Sequence, residues 1–449
     1  MCGIAGFCNI NADFTSNYNK WHHILYRFKQ VLRHRGPDDE GDMLVQKIGL
    51  AHTRLSIIDI EHGHQPITKQ KGGNSYTIVY NGELYNTAEL RDKLINMGYH
   101  FKTYTDTEVI LTGFMAFGGE FVKELNGIFS FAIWDDNSKL LYLARDRFGV
   151  KPLFYTLQED TIIFASEIKA LFEFPGVKPR IDADGLCEIF GLGPAKTYGK
   201  GVFKDIHEVL AGNMIVFDEH SLHQKPYWSL VSAPHEDDYE TTVEKTSYLL
   251  YDAVKRQMIS DIPICTLLSG GVDSSLVTAI CAKELAKKNL QLRTYSFDFK
   301  DNAKHFQANS FQPSQDRPYV DIMVEHVKSN HTYLECDNLD LIDCLYPTVD
   351  ARDLPNMADI ESSLLYFCKK VAAETKVALT GECADEYAHI CYTPLLIPAF
   401  IASRVFFLTK YANRLIIRCK GGVVYEENNI YIYAFDMYRF YTYFGTRCH

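Results

Sequence analysis

The sequence predicts two domains of different class: an α+β domain of short mixed strands over residues 2–210, and an α/β domain with a parallel sheet over residues 240–386. Three observations predict it. The chain has 449 residues, more than one hydrophobic core usually serves, so two separately packed units are the natural reading. Up to about residue 210 the apolar, β-branched and aromatic residues come in short runs broken by Gly, Pro, Asn and Asp. From Glu240 a helical period, a buried-strand run, a Ser/Gly turn and a second helical period follow one another, the rhythm of a parallel sheet with crossover helices.

In order along the chain, strands are expected at 76–80, 128–134, 140–144 and 161–165, where aromatic and β-branched residues concentrate. Residues 211–239 carry Pro226, Pro234 and a cluster of acids with little apolar period, and read as a linker. Beyond it a helix is expected over 240–260, a buried strand over 262–268, and a helix over 276–285. Further strands at 293–299 and 377–380 alternate with helices at 317–328 and 359–374. The tail, 387–449, is crowded with Tyr, Phe and Ile and shows no clean period.

Composition excludes several classes. A formal net charge of −11 gives no basic footprint for nucleic acid, and 47% hydrophobic with 23% charged residues is ordinary for a folded globular chain. The 12 cysteines include no C-x-x-C pair and no zinc-module spacing, and Cys265, Cys281 and Cys368 sit in apolar stretches, so most read as reduced core thiols. The N-terminus, MCGIAGF, lacks a basic region followed by a long apolar run, so a cytoplasmic location is expected. The longest apolar stretch, 395–408, contains Pro398 and Arg404 and falls short of the roughly 20 residues of a membrane span.

The chemistry starts at residue 2. Removal of Met1 would leave Cys2 carrying both a thiol and a free α-amine, so nucleophile and base would share one residue. A thiol of pKa about 8.5 is only a few per cent thiolate at neutral pH, and an α-amine near 8 takes its proton locally. Such a cysteine attacks a side-chain amide. Alone, a second-position Cys is an ordinary buried thiol; Asn81-Gly82 is a hairpin turn, Arg35 to Asp38 a turn, and Asp106 a helix cap.

Together these pieces say more. The segments Cys2-Gly3-Ile4-Ala5-Gly6-Phe7, Arg33-His34-Arg35-Gly36-Pro37-Asp38, His52-Thr53-Arg54-Leu55-Ser56-Ile57, Tyr80-Asn81-Gly82-Glu83 and Thr105-Asp106 resemble, in order and spacing, the class II glutamine amidotransferase domain. The resemblance implies a four-layer αββα fold of the N-terminal-nucleophile hydrolase type. It also implies that Arg54 offers a fork to the α-carboxylate of glutamine, and that Glu83 and Asp106 hold its α-ammonium. Asn81 and the Gly82 N–H would line an oxyanion hole.

The second chemical centre follows the 262–268 strand. Ser269-Gly270-Gly271-Val272-Asp273-Ser274-Ser275 opens an amphipathic helix, where glycines let the backbone approach an anion and the helix dipole favours negative charge. It lacks the G-x-x-x-x-G-K-[ST] pattern and resembles instead the loop of enzymes that split ATP to AMP and pyrophosphate. A class II glutaminase followed by this loop and by Thr380-Gly381-Glu382-Cys383-Ala384-Asp385-Glu386 resembles the asparagine synthetase family.

That resemblance implies glutamine, aspartate and ATP as substrates and Mg²⁺ as cofactor. Ser269, Gly270, Gly271, Ser274 and Ser275 would hold pyrophosphate, and Leu268, Phe297, Thr380 and Gly381 would line the nucleotide pocket. Asp273 and Asp385 would hold the metal, and Glu382 would be a general base. A homodimer is compatible with it, and no nucleic acid or membrane partner is expected. The family's Gly-Gly-Tyr turn, Pro-Phe-Leu-Asp stretch and late lysine are missing after Glu386. The tail is therefore expected to be a divergent or truncated replacement, leaving glutaminase-only, inactive-binding and other-carboxylate readings as alternatives.

Overall fold

A computed structural model describes residues 1–382 apart from 194, 220 and 310–312. Asp385, the 395–408 stretch and the 387–449 tail lie outside the described residues. The chain divides into two compact units: residues 1–265 with 297–302 and 333–378, and residues 266–296 with 303–332 and the chain from 379.

The first unit opens with twelve strands among the described residues: β1 (Gly3–Cys8), β2 (Asp39–Val45), β3 (Ile48–Arg54), β4 (Ile67–Lys71), β5 (Asn74–Leu84), β6 (Gly127–Asp135), β7 (Leu140–Arg145), β8 (Phe154–Gln158), β9 (Thr161–Ala165), β10 (His207–Glu208), β11 (Asn213–Phe217) and β12 (Leu222–Pro226). The helices between them are α1 (Tyr18–Leu32), α2 (Thr87–Asn96), α3 (Asp106–Phe117), α4 (Ile168–Leu171) and α5 (Ala183–Leu192). The strands form two six-stranded sheets, in the orders β10-β8-β9-β1-β3-β2 and β12-β11-β7-β6-β5-β4, with antiparallel pairs.

Period-2 alternation turns these sheets into layers, because successive side chains point to opposite faces. In β1, Ile4 and Cys8 join the core between the sheets, with Ile48, Leu50, Val79, Ala132 and Trp134. The alternate residues Ala5 and Phe7 pack instead beneath α1, against Ile24, Leu25, Phe28 and Leu32. On the second sheet, Phe129, Phe131 and Ile133 of β6 face α3 through Val109, Ile110 and Phe114. Three apolar cores between four layers, α, β, β and α, is the architecture expected from the motifs. Residues 213–226, inside the stretch that read as a linker, are β11 and β12 at the edge of the second sheet; Asn213, Ile215 and Phe217 are buried on alternate positions there.

Farther along lie α6 (Tyr239–Gln257), β13 (Ile264–Leu267), α7 (Val272–Ala286), β14 (Arg293–Phe299), α8 (Asn302–His305), α9 (Arg317–Val327), β15 (Asn330–Cys336), α10 (Asn338–Arg352), α11 (Ala358–Ala372) and β16 (Val377–Leu379). The strands make a four-stranded parallel sheet in the order β15-β14-β13-β16. Caps fix the helix starts: Asp238 accepts from Thr241 N ahead of α6, and Asp337 with Asp340 forms a capping box ahead of α10. Cys265 and Cys281 are buried as expected, but Cys368 is exposed on α11, because its helix turns that position to solvent. Among the described residues no helix is long and apolar enough to cross a membrane.

Candidate functional site

Cys2 precedes β1, half-buried, with its Sγ 3.8 Å from the Leu55 carbonyl. Its own carbonyl accepts a 2.9 Å bond from Arg35 Nε, and Arg35 Nη1 reaches Glu167 Oε1 at 2.7 Å. The Arg-Gly-Pro-Asp segment is thus more than a turn: its arginine fastens the backbone of the predicted nucleophile. Gly36 is required there, since a Cβ would stand 2.3 Å from the Thr53 backbone.

Burial pushes the Cys2 thiol up, keeping it protonated. The chain amine, here that of Met1, is brought down to about 5, first by burial and further by Arg35 and Lys151. That amine belongs to Met1 and not to Cys2, so the pairing of amine and thiol on one residue requires removal of Met1.

Asn81, Gly82 and Glu83 lie inside β5, opposite Ser130, Phe129 and Ile128 of β6. The hairpin-turn reading of Asn81-Gly82 is excluded by this pairing; the turn between β4 and β5 falls at Gly72-Gly73, both at positive φ. A Cβ on Gly82 would stand 2.4 Å from the Ile128 carbonyl, so the close approach of β6 dictates glycine. Asn81 is buried, and among the described residues its Nδ2 has no hydrogen-bond partner. A buried amide donor left unmade is costly unless a ligand completes it.

Asp106 is the first residue of α3, whose cap is Thr105. The carboxylate of Asp106 accepts from Tyr80 Oη at 2.8 Å and Leu84 N at 3.1 Å. Burial raises the pKa of both Asp106 and Glu83, and the two carboxylates repel one another. A cation between them relieves both effects. Arg54, at the end of β3, is buried, with Nη1 donating to Ile60 O at 2.8 Å and Nη2 to Ile58 O at 3.0 Å and Asp59 O at 2.7 Å. These bonds leave Nε–H and one Nη1 hydrogen for an anion.

Three contributors escaped the sequence reading. Gly63 packs so closely on Arg54 that a Cβ would lie 1.9 Å from Nη2. Asp59 ties the same loop together, accepting Tyr104 N at 2.7 Å and standing 2.9 Å from His62 Nδ1. Lys151 is buried, with burial lowering its pKa and Glu83 opposing that, and it is an electrostatic neighbour of Cys2. It is carried in by a loop whose Asp146 carboxylate accepts from Phe129 N, Phe148 N, Val150 N and Lys151 N. Asp-x-x-x-Gly in the first loop and a basic residue soon after a strand-ending Asp are the only sequence traces.

In the second unit, Ser269 and Ser274 join through their Oγ atoms at 3.0 Å, and Ser274 Oγ accepts from Ser269 N at 3.2 Å. Gly270 has φ +81°, and a Cβ there would lie 2.8 Å from Tyr319 Cβ. Gly271 caps α7 without a side-chain bond, so the first-turn amides are not covered by a cap. Gly381 packs on that turn: its Cβ would lie 2.4 Å from Ser274 N. Leu268 is buried, its N–H on Tyr295 O at 2.8 Å. Glu382 N donates to Thr380 Oγ1 at 3.2 Å, and the Glu382 side chain is exposed. Phe297 belongs to the first unit, stacked on Phe367 at 4.4 Å.

Two family models match the chain: the glutamine amidotransferase domain over residues 1–228, and asparagine synthase over residues 245–415. The chain belongs to the glutamine-hydrolysing asparagine synthetase family. It is 44% identical over 387 residues to asparagine synthetase [glutamine-hydrolyzing] 3 of Bacillus subtilis (strain 168), covering 86% of this chain and 62% of that one. It is 32% identical over 369 residues to putative asparagine synthetase [glutamine-hydrolyzing] 2 of Methanocaldococcus jannaschii, covering 76% and 67%. The chain spans about three fifths of the length of the B. subtilis relatives it matches, 62% and 58% for two of them. Among solved structures, glutamine phosphoribosylpyrophosphate amidotransferase of B. subtilis matches with a TM-score of 0.37 and 16% identity over 66% of this chain and 75% of that one, too slight to bear on function. In this asparagine synthetase family member, Cys2, Arg54, Asn81, Gly82, Glu83 and Asp106 all fall in the first unit, and 268–275 with 380–382 in the second.

Proposed function

We propose that the chain makes asparagine from aspartate, drawing ammonia from glutamine and energy from ATP. The observation that carries the reading is the buried Asn81 Nδ2 on β5, without a hydrogen-bond partner among the described residues and in the same unit as Cys2, Glu83 and Asp106. An amide donor held without a protein partner suits an oxygen that becomes negative only during reaction.

In the first half-reaction the α-amine of processed Cys2 takes the thiol proton as sulfur bonds to the glutamine side-chain carbonyl carbon. Asn81 and the Gly82 N–H stabilise the resulting oxyanion. The C–N bond breaks, the departing nitrogen receives the proton, and ammonia leaves a thioester that water converts to glutamate. Arg54 orients the substrate's carboxylate, and Glu83 with Asp106 its ammonium.

In the second half-reaction the aspartate β-carboxylate attacks the α-phosphorus of ATP, pyrophosphate leaves, and ammonia displaces AMP from the acyl-adenylate. Ser269, Gly270, Gly271, Ser274 and Ser275 cradle the leaving pyrophosphate, Leu268, Thr380 and Gly381 bound the nucleotide, and Glu382 removes a proton from the attacking ammonia. Mg²⁺ would be held by Asp273 and Asp385 and would neutralise phosphate charge. Among the described residues no set of three or more ligating side chains gathers at one point, and Asp385 lies outside them.

The test supplies aspartate and MgATP with either glutamine or ammonium, and follows asparagine, glutamate and pyrophosphate. Asparagine and pyrophosphate from both nitrogen sources supports the reading. Glutamate without pyrophosphate reduces the chain to a glutaminase, and neither product leaves only a binding role.

A further inference from the structure

We propose that Asp353, far beyond the amidotransferase motifs, is a positioning residue of the glutamine site, acting through Lys169 and Glu167 on the arginine that holds Cys2. The inference rests on Cys2 being the glutamine nucleophile.

The contacts form a series of hydrogen bonds joined by one ion pair without a hydrogen bond, Lys169 to Glu167, whose carboxylate also stands 3.0 Å from His34 Nε2. Asp353 Oδ2 accepts from Lys169 N at 3.0 Å, and its Oδ1 lies 3.1 Å from Lys169 Nζ. Lys169 Nζ also donates to the Asp350 carbonyl and stands 3.1 Å from Glu167 Oε2. Glu167 Oε1 is 2.7 Å from Arg35 Nη1, and Arg35 Nε donates to Cys2 O at 2.9 Å. Every one of these residues lies in the first unit.

Charge alternates along the series, Asp353 negative, Lys169 positive, Glu167 negative, Arg35 positive. Side-chain exposures are 9% for Asp353, 10% for Glu167 and 7% for Arg35 against 26% for Lys169, so water screens the Arg35–Glu167 pair weakly and the Lys169 pairs more. Lys169 is the shared member. With Asp353 in place, its ammonium is held against Glu167 Oε2 while Arg35 takes Oε1; without Asp353, or without Lys169, the Oε2 side of Glu167 loses that support and the carboxylate shifts against Arg35. Because the guanidinium holds Glu167 with one nitrogen and the Cys2 carbonyl with another, a shift at Glu167 is passed to Cys2.

Asp353 is placed for this by its backbone. It ends α10 at φ 60°, the left-handed region that Asp tolerates better than most residues, and so turns back on Lys169 at the start of α4. Neither member carries any motif of the glutamine site, and 184 positions separate them.

The test replaces Asp353 with Asn and, separately, Lys169 with Met, in the full chain. Misplacing a nucleophile costs turnover rather than affinity, so kcat for glutamate release should fall roughly tenfold while KM stays within about twofold, since Arg54, Glu83 and Asp106 are untouched. Alkylation of Cys2 by iodoacetamide should slow in parallel, and Lys169→Arg should restore most of the rate. The double variant Asp353→Asn/Lys169→Met should be no slower than Asp353→Asn alone. Should Asp353→Asn not fold, Lys169→Met carries the same expectation. Folded variants with unchanged kcat and unchanged alkylation overturn the proposal, as does a double variant whose losses simply add. Unaltered protein that releases no glutamate would overturn the glutaminase reading itself, a distinct result.

Discussion

Asn81 and Gly82 show how one dipeptide meets two demands. As letters they spell a hairpin; in the fold they lie within β5, where β6 passes too close for any side chain at 82 and the amide nitrogen of 81 is buried without a partner among the described residues. Replacing Asn81 by Ala should lower kcat for glutamine hydrolysis by roughly 10²–10³ while leaving the melting temperature unchanged or higher, since no protein hydrogen bond of its Nδ2 is lost. Gly82→Ala should instead cost about 1–3 kcal/mol of stability, measured by denaturant unfolding, because the new methyl meets the Ile128 carbonyl. Cys2→Ala should abolish glutamine use and spare ammonia-dependent synthesis, and intact mass should show active protein lacking Met1. The proposed site residues are readable as types at motif spacings. What holds Arg54 is not, because three carbonyls from 58–60 converge on it only once that loop has folded.

At the scale of elements, short apolar, β-branched and aromatic runs were readable from sequence: 161–165 and 293–299 match β9 and β14 residue for residue. The polar strand β2, Asp-Glu-Gly-Asp-Met-Leu-Val, was not, since its place comes from pairing with the fully buried β3. Strands β11 and β12 were hidden by Pro226 and nearby acids, which an edge strand tolerates. The loop before α7 carries its own prediction: Gly270→Ala, at φ +81° and against Tyr319, should lower pyrophosphate release and leave glutamate release intact. Glu167, between α4 and the Arg35 guanidinium, is brought down from 4.5 to about 2, where burial pushes up but His34 and Arg35 outweigh it. A lowered carboxylate stabilises the fold fully above 4.5 and loses that contribution as pH falls towards 2. Acid unfolding of Glu167→Gln should therefore show less dependence on pH across that window, measured by circular dichroism.

For the whole molecule, the tandem of an amidotransferase domain and an asparagine synthase region was visible in the order of motifs, because each motif is local. The division into compact units was not, since residues 297–302 and 333–378 join the first unit through contacts that only a folded chain makes. Ion pairs such as Lys376 to Asp38 at 2.7 Å, 338 positions apart, leave no local trace. The proposed function requires one chain to release ammonia and spend it, moving nitrogen from glutamine to aspartate. Glutamine labelled with ¹⁵N in its side-chain amide, supplied with aspartate and MgATP, tests this by mass spectrometry of the product. Asparagine carrying the label, formed with one pyrophosphate per molecule, is the predicted result; unlabelled glutamate accumulating with no labelled asparagine would contradict it.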